Sequence, residues 1–407
     1  MSLSTHPLWR SPSHHEDLDH VHDHVHWVEL FYDLIHVVCV FLLGNYLSDH
    51  LSVQGFLVFA ALFSVIWMSW AESSYFNSIF VSTDVYHRCI MTAQICTVML
   101  MAAAIPHIGG KGAMYFSLAY AFNRAITAGM YWRVTRHSVA SCQVSREMAR
   151  NFFVAAAMYL VAAFLPSPWN FWLFGFTILL MQVSFLHSKY GVMRLPRFTP
   201  RMGHFSERFA LLFLIVMGEG FFKLVVTLSE KGVYKVSPDV FFNFFLGGIM
   251  IFCLTWVYFD FVGNGRPRST QRWVMARWWY GHLTLMLSAI MIGVALKAEV
   301  KIGFLESYPL KYAALGCTGL VLFITSLAAI QASIEERLAH RVYTRDVQLF
   351  GIGMALFTLL IVSYVPSIVG NAFYGIAAFS QIAVPFVRAV RTIRSEGIAV
   401  PMDGSHS

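Results

Sequence analysis

Five titratable residues near the start of the chain, His22, His26, Glu29, Asp33 and His36, follow one another at spacings of four, three, four and three. On a helix that spacing lines them along one face. The face would run roughly 20 Å at a rise of 1.5 Å per residue. These residues sit in HVHDHVHWVELFYDLIHV, which begins as a histidine-rich tail and ends in Leu, Val and Ile. An ionised carboxylate at the centre of a bilayer costs roughly 2.5–3.5 kcal/mol on insertion scales. Glu29 and Asp33 therefore call for a counter-charge, a polar cavity, or both. A path shared with histidines would make a proton relay, since imidazole exchanges a proton near neutrality. His20, His22 and His24 read as a solvated tail.

Other charged residues interrupt apolar sequence further on. Glu219, in IVMGEGFF, lies twelve residues past Glu207, roughly 18 Å along a helix. Its neighbours Gly218 and Gly220 would let another backbone approach. Arg124, in YAFNRAIT, cannot shed its charge. Asp33 is its expected partner, ahead of Glu29 and Glu219. His87 and His282 each stand about one turn inside an apolar stretch, in equivalent places of two halves. The candidate polar path is thus Glu29, Asp33, His36, His87, Arg124, Glu207, Glu219 and His282. A competing chemistry is metal binding, with His26, His87, His204 and His282 joining Glu29 and Glu207 as nitrogen and oxygen ligands for zinc or iron. Glu72 and Asp260 read as interfacial residues at span ends. Phosphate-binding loops, dinucleotide fingerprints and HExxH motifs are absent from the sequence.

The elements that must position these residues are membrane helices. Of 407 residues 57% are hydrophobic and only 13% charged, against roughly 25% charged in a soluble protein. No cleavable signal peptide is read in the polar first 27 residues. The six cysteines fall mostly in apolar stretches without paired spacing and read as packing residues.

A window of about twenty apolar residues gives twelve spans: 28–47, 53–71, 85–105, 112–131, 149–166, 168–187, 207–228, 239–260, 279–297, 311–331, 347–365 and 370–388. Arginines cluster after every second span from the fourth on, at Arg133 and Arg136, Arg194 and Arg197, Arg266 and Arg268, Arg337 and Arg341, and Arg388 and Arg391. The positive-inside rule then puts both termini in the cytoplasm. The net charge of +7 is accounted for by topology, not by a nucleic-acid partner. The lipid bilayer and a small-molecule or ion substrate are the expected partners.

HWVELF (26–31) and HFSERF (204–209) share His-x-x-Glu-x-Phe, each opening the first span of a six-span half. The expected architecture is all-α, two parallel six-helix repeats related by an axis along the membrane normal. Its segments are a polar tail (1–27), a first repeat (28–187), a basic linker (188–206), a second repeat (207–388) and a C-terminal tail (389–407).

WVELFYDLIHVV in span one, HFSERFALLFLIVMGE in span seven and YGHLTLML opening span nine resemble the motifs of the bacterial low temperature requirement A family, in the same order and over nearly the whole chain. The resemblance marks Glu29, Asp33, His204, Glu207, Arg208 and Glu219 as this chain's copies of the motif positions. His36 stands where family members more often carry an apolar or aromatic residue. The resemblance implies a multi-span protein of the cytoplasmic membrane and no defined activity. The expected function is a proton-coupled secondary transporter or permease. An intramembrane metalloenzyme acting on a lipid, and a channel or sensor, are the alternatives.

Overall fold

A polar run in the middle of an apolar chain decides where the helices end. The computed structural model describes residues 11–18, 25–82, 84–187, 191–195, 197–263, 265–335 and 337–396. His20, His22 and His24 lie outside the described residues. The twelve predicted spans each fall on a helix: α1 Trp27–Asp49, α2 Val53–Ile79, α3 Val85–Ala104, α4 Gly112–His137, α5 Cys142–Phe164, α6 Trp169–Leu186, α7 Met202–Lys231, α8 Pro238–Tyr258, α9 Arg272–Glu299, α10 Leu310–Gln331, α12 Arg345–Ile361 and α13 Ser367–Glu396. The short α11, Arg337–Val342, has no counterpart among the predicted spans.

Ten of these helices are long and apolar enough to cross a membrane unaided. α4, with Asn123 and Arg124 at its centre, and the 17-residue α12 are not among them. The chain is an all-α, multi-pass membrane protein. Outward side chains such as Phe153 and Phe164 on α5, or Trp172 and Leu179 on α6, are exposed on the protein alone, a surface that lipid covers. All six cysteines are free.

One clear departure from the predicted ends is in α2, which continues to Ile79 instead of stopping at 71. The added turns read ESSYFNSI, polar by composition yet wholly buried. A hydropathy window ends where polarity begins, but the helix continues because these side chains are buried inside the protein, where Glu72 pairs with Arg124 and Ser78 bonds His204.

The chain forms two compact units, Met1–Val216 with Ser269–Ala276, and Met217–Arg268 with Arg277–Ser407. The division falls inside α7, beyond the basic linker at 188–206 where the sequence suggested it. In the first unit α1 packs on α2 and α3, α3 on α4, α4 on α5, and α5 on α6. A strap crosses one end of this unit: β1, Ser13–His14, pairs antiparallel with β2, Phe80–Val81. Arg201, just ahead of α7, holds the end of α2, its backbone amide donating to the Ser78 carbonyl at 3.0 Å and its Nη2 to the Asn77 carbonyl at 3.1 Å. A cation at a helix C-terminus also complements the helix dipole. This clamp fixes the register of α7 against α2.

In the second unit α8 packs on α13, α10 on α12, and α12 on α13. Here the expected close approach occurs at Gly220, where a Cβ placed on Gly293 of α9 would lie 3.2 Å from the Gly220 Cα. Gly218 has no such neighbour.

Asp84 caps α3, accepting from the His87 amide at 3.1 Å, and is gripped by Arg133 at the end of α4 through bonds of 3.2 and 2.5 Å. Burial alone would raise the pKa of this carboxyl, but Arg133 and the His87 amide outweigh it and hold it below the usual 3.8. Because the folded pKa is the lower one, the stabilisation is complete above the unfolded value and is lost as pH falls through the folded one. Asp84→Ala should cost about 1–2 kcal/mol at neutral pH, measured by thermal unfolding in detergent. The difference from wild type should vanish on acidification below the carboxylate range.

Candidate functional site

Glu29, Asp33 and His36 do share one buried face of α1. His26 does not continue it as a buried residue; it caps the helix, its Nδ1 accepting from the Val28 amide at 3.4 Å. Glu29 stands in the first turn of α1, where the helix dipole favours a negative charge.

What pairs with both carboxylates is Arg208 of α7, itself 0% exposed. Its Nη1 donates to Glu29 Oε2 and its Nη2 to Asp33 Oδ1, the latter at 2.5 Å. The guanidinium fork suits this, since two parallel N–H groups reach two carboxylates at once. Asp33 Oδ1 accepts a second bond from Trp70 Nε1 of α2 at 2.6 Å. Trp70 also lies under the guanidinium, 5.8 Å from its Cζ to the ring centroid, and packs edge-on against Phe209 at 5.0 Å. His204, one turn before Arg208, places Nε2 3.2 Å from Glu29 Oε2 and Nδ1 3.0 Å from Ser78 Oγ. Glu29 is 8% exposed and Asp33 1%. Three helices thus converge on one charged cluster.

The expected pairing of Arg124 with Asp33 does not occur. Arg124, on α4, forms an ion pair with Glu72 of α2, and both are buried. Glu72 is accordingly not interfacial, because α2 continues well past it. Asp260 remains at the surface, bonded to Trp256. Arg124 Nη2 also donates to Asn123 Oδ1 at 2.5 Å. From there a line of buried side chains leads back toward α1. Thr127 Oγ1 donates to the Asn123 carbonyl at 3.0 Å and accepts from Gln94 Nε2 at 3.1 Å. Gln94 Nε2 also donates to Ser73 Oγ at 3.1 Å, which lies 3.5 Å from the Tyr32 hydroxyl.

The remaining predicted residues stand apart. Glu207 is exposed on α7, so the shared His-x-x-Glu pattern does not put equivalent carboxylates in equivalent surroundings. His87 is buried three residues beyond the Asp84 cap. His36 bonds its own helix, Nδ1 to the Tyr32 carbonyl at 2.9 Å. Glu219 and His282 belong to the second unit. Glu219 Oε1 pairs with Lys223 Nζ at 2.7 Å, a cation one turn on that the sequence reading passed over. His282 engages both ring nitrogens, with Tyr258 Oη at 3.1 Å and the Trp278 carbonyl at 2.8 Å.

The proposed metal ligands fare differently from the charge cluster. Glu29 and His204 are adjacent, but Glu29 spends the shared oxygen on Arg208, and both nitrogens of His204 are engaged. Among the described residues the group of His, Asp, Glu and Cys donors close enough to share an ion is instead His14, His15 and Glu16 in the strap. His14 Nε2 and His15 Nε2 lie 3.0 Å from the carbonyls of Arg197 and Thr199.

Trp70, Glu72, Ser78 and Lys223 are the site residues that sequence reasoning missed. The signal for the first three was present in WMSWAESSYFNS, where hydroxyls recur at helical spacing directly after an apolar span.

No curated protein matches the chain. The family described as bacterial low temperature requirement A protein matches residues 24–388, a stretch that holds the whole charge cluster from Glu29 to Arg208. The chain belongs to the bacterial low temperature requirement A (LtrA) family.

Proposed function

We propose that this protein is a proton-coupled secondary transporter of the cytoplasmic membrane, with Glu29, Asp33, His204 and Arg208 as its coupling site. The observation that carries this reading is a count of protons at His204. The Ser78 hydroxyl donates its hydrogen to the Ser74 carbonyl at 2.8 Å, so Ser78 Oγ accepts from His204 Nδ1–H. A neutral imidazole would then turn an unprotonated Nε2 toward the Glu29 carboxylate, lone pair against lone pair. One further proton between Nε2 and Glu29 Oε2 turns this contact into a bond.

The charges agree. Two carboxylates and one guanidinium leave one negative charge in a buried site, and a single proton cancels it. A site that is neutral only when one proton is bound, and that joins helices of different parts of the chain, is a coupling device in the sense transporters use. His36 and His87, in the same unit, are further stations of the proposed polar path; Glu219 and His282 are candidate polar groups of the second unit. The reading includes cytoplasmic termini, supported by the arginine distribution, and two parallel repeats, supported by the shared His-x-x-Glu-x-Phe motif.

The test is spectroscopic first. In isotope-labelled protein the hydrogen bond between His204 Nε2 and the Glu29 carboxylate should be visible as a coupling across it. Asp33→Asn, which removes the negative charge that the proton balances, should abolish that coupling. In proteoliposomes carrying an internal pH dye, solute-driven proton movement by the wild type should be absent in Asp33→Asn. Uptake that stays coupled to the pH gradient in that variant would refute the assignment.

A further inference from the structure

A second charged site in the first unit combines a buried cation whose Nε has no hydrogen-bond partner among the described residues with a cavity beside it. The cavity, about 40 Å³, lies beside the Arg124–Glu72 pair between α2, α4, α5 and α6, lined in part by Tyr120, Tyr159 and Gln182. A water molecule's share of liquid volume is about 30 Å³, so the space suits a species of one to four heavy atoms. It opens between α2 and α6, where Ser64, Ile178 and Gln182 are half-buried.

Its lining is largely apolar, with a few donors set among Val65, Met68, Ile178 and Met181. Arg124 is 1% exposed, yet its Nε has no hydrogen-bond partner among the described residues. Tyr120 and Tyr159 each bring a hydroxyl, and Gln182 an amide whose Nε2 lies 3.8 Å from Met68 Sδ. The one anionic acceptor, Glu72, is committed to Arg124. A buried cation with a free N–H, flanked by phenol hydroxyls, is the chemistry that holds an anion.

We infer that this cavity binds a small monovalent anion, which takes the place of Glu72 on the Arg124 guanidinium while Glu72 takes up one proton from the medium. The exchange balances: Arg124⁺ with Glu72⁻ becomes Arg124⁺ with the anion and a neutral Glu72 carboxylic acid, so the buried site stays electroneutral. Without the proton the anion would leave an uncompensated negative charge in a low-dielectric interior. The groups able to answer Glu72 across the site are Arg124 and Tyr120 from α4 and Tyr159 from α5, with Tyr131 of α4 and Tyr32 of α1 also acting on Arg124. All but Arg124 are phenols, so the carboxyl is the group placed to take the proton. The site shares no residue with the Glu29–Arg208 cluster, and its test is independent of that one.

The full-length protein in nanodiscs, at constant ionic strength made up with gluconate, is titrated calorimetrically with chloride, nitrate and formate. A pH indicator in weak buffer follows protons. The expected result is saturable binding with one proton taken up per anion, and an apparent affinity that falls about tenfold for each pH unit raised. Glu72→Gln should bind the same anion with no proton uptake and no pH dependence. Tyr159→Phe, a change that keeps the ring and its packing, should weaken binding at least about fivefold. Failure of all three anions to bind the wild type would overturn the proposal. So would binding whose affinity and proton count are unchanged in both variants.

Discussion

Arg208→Met should destabilise the protein by about 3–5 kcal/mol and abolish the coupled transport proposed above, because it strands two buried carboxylates that face one guanidinium. The loss has two parts. Breaking the fork removes a bond to each of Glu29 and Asp33, and the carboxylates then repel one another or must each take a proton. Arg208→Lys should recover only part of the loss, since an ammonium lacks the planar fork that spans both partners. The informative variant is the triple change Glu29→Gln, Asp33→Asn, Arg208→Met. It removes all three charges at nearly constant volume and should regain most of the stability while transport stays at background. Denaturant unfolding in detergent reads the first quantity and proteoliposome uptake the second. If Arg208→Met unfolded like wild type, the cluster could not be the buried, mutually neutralising site that the geometry describes.

How much of this site the sequence disclosed depends on which physical signal each part left. The helices were legible because a bilayer imposes a length, and windows of about twenty apolar residues register it. The inward face of α1 was legible as well, since Glu29, Asp33 and His36 keep a helical period and no lipid-facing position tolerates two carboxylates.

Partners were not legible. Arg124 takes Glu72 instead of Asp33 because α2 carries a buried polar end that hydropathy alone discards, so the acid that answers the arginine was placed at the membrane surface. Arg208 was present in the HFSERF motif, but the repeated His-x-x-Glu pattern drew weight to Glu207, which is exposed. A one-residue step turns a helix by about 100°. Contact identity therefore depends on the packing of α7 against α1 and α2, which Arg201 sets and no local pattern encodes. For the same reason the boundary between units falls inside α7: its first turns are bonded to α1 and α2, and an apolar-span count has no term for that.

Breaking the other buried pair should show an asymmetry that separates its two partners. Glu72→Leu strands Arg124, whose charge cannot be shed inside the protein, and should cost about 4–5 kcal/mol, the upper end for a broken buried pair. Arg124→Leu strands Glu72, which can become neutral by taking a proton, so its cost should be smaller and should decline as pH is lowered. Arg124 keeps some support without Glu72, lying over Tyr120 at 4.9 Å and Phe152 at 5.6 Å, but a cation–π contact is worth about 2 kcal/mol when desolvated and cannot replace an ion pair. The double variant Glu72→Leu, Arg124→Leu should lie closer to wild type than either single change, since it buries no charge at all. Unfolding curves for the four proteins at two pH values complete the cycle. An Arg124→Leu variant as damaged as Glu72→Leu at every pH would show that Glu72 has no access to protons. That outcome would also remove the proton exchange on which the anion site depends, so the cycle tests the stability of the pair and the chemistry inferred for it together.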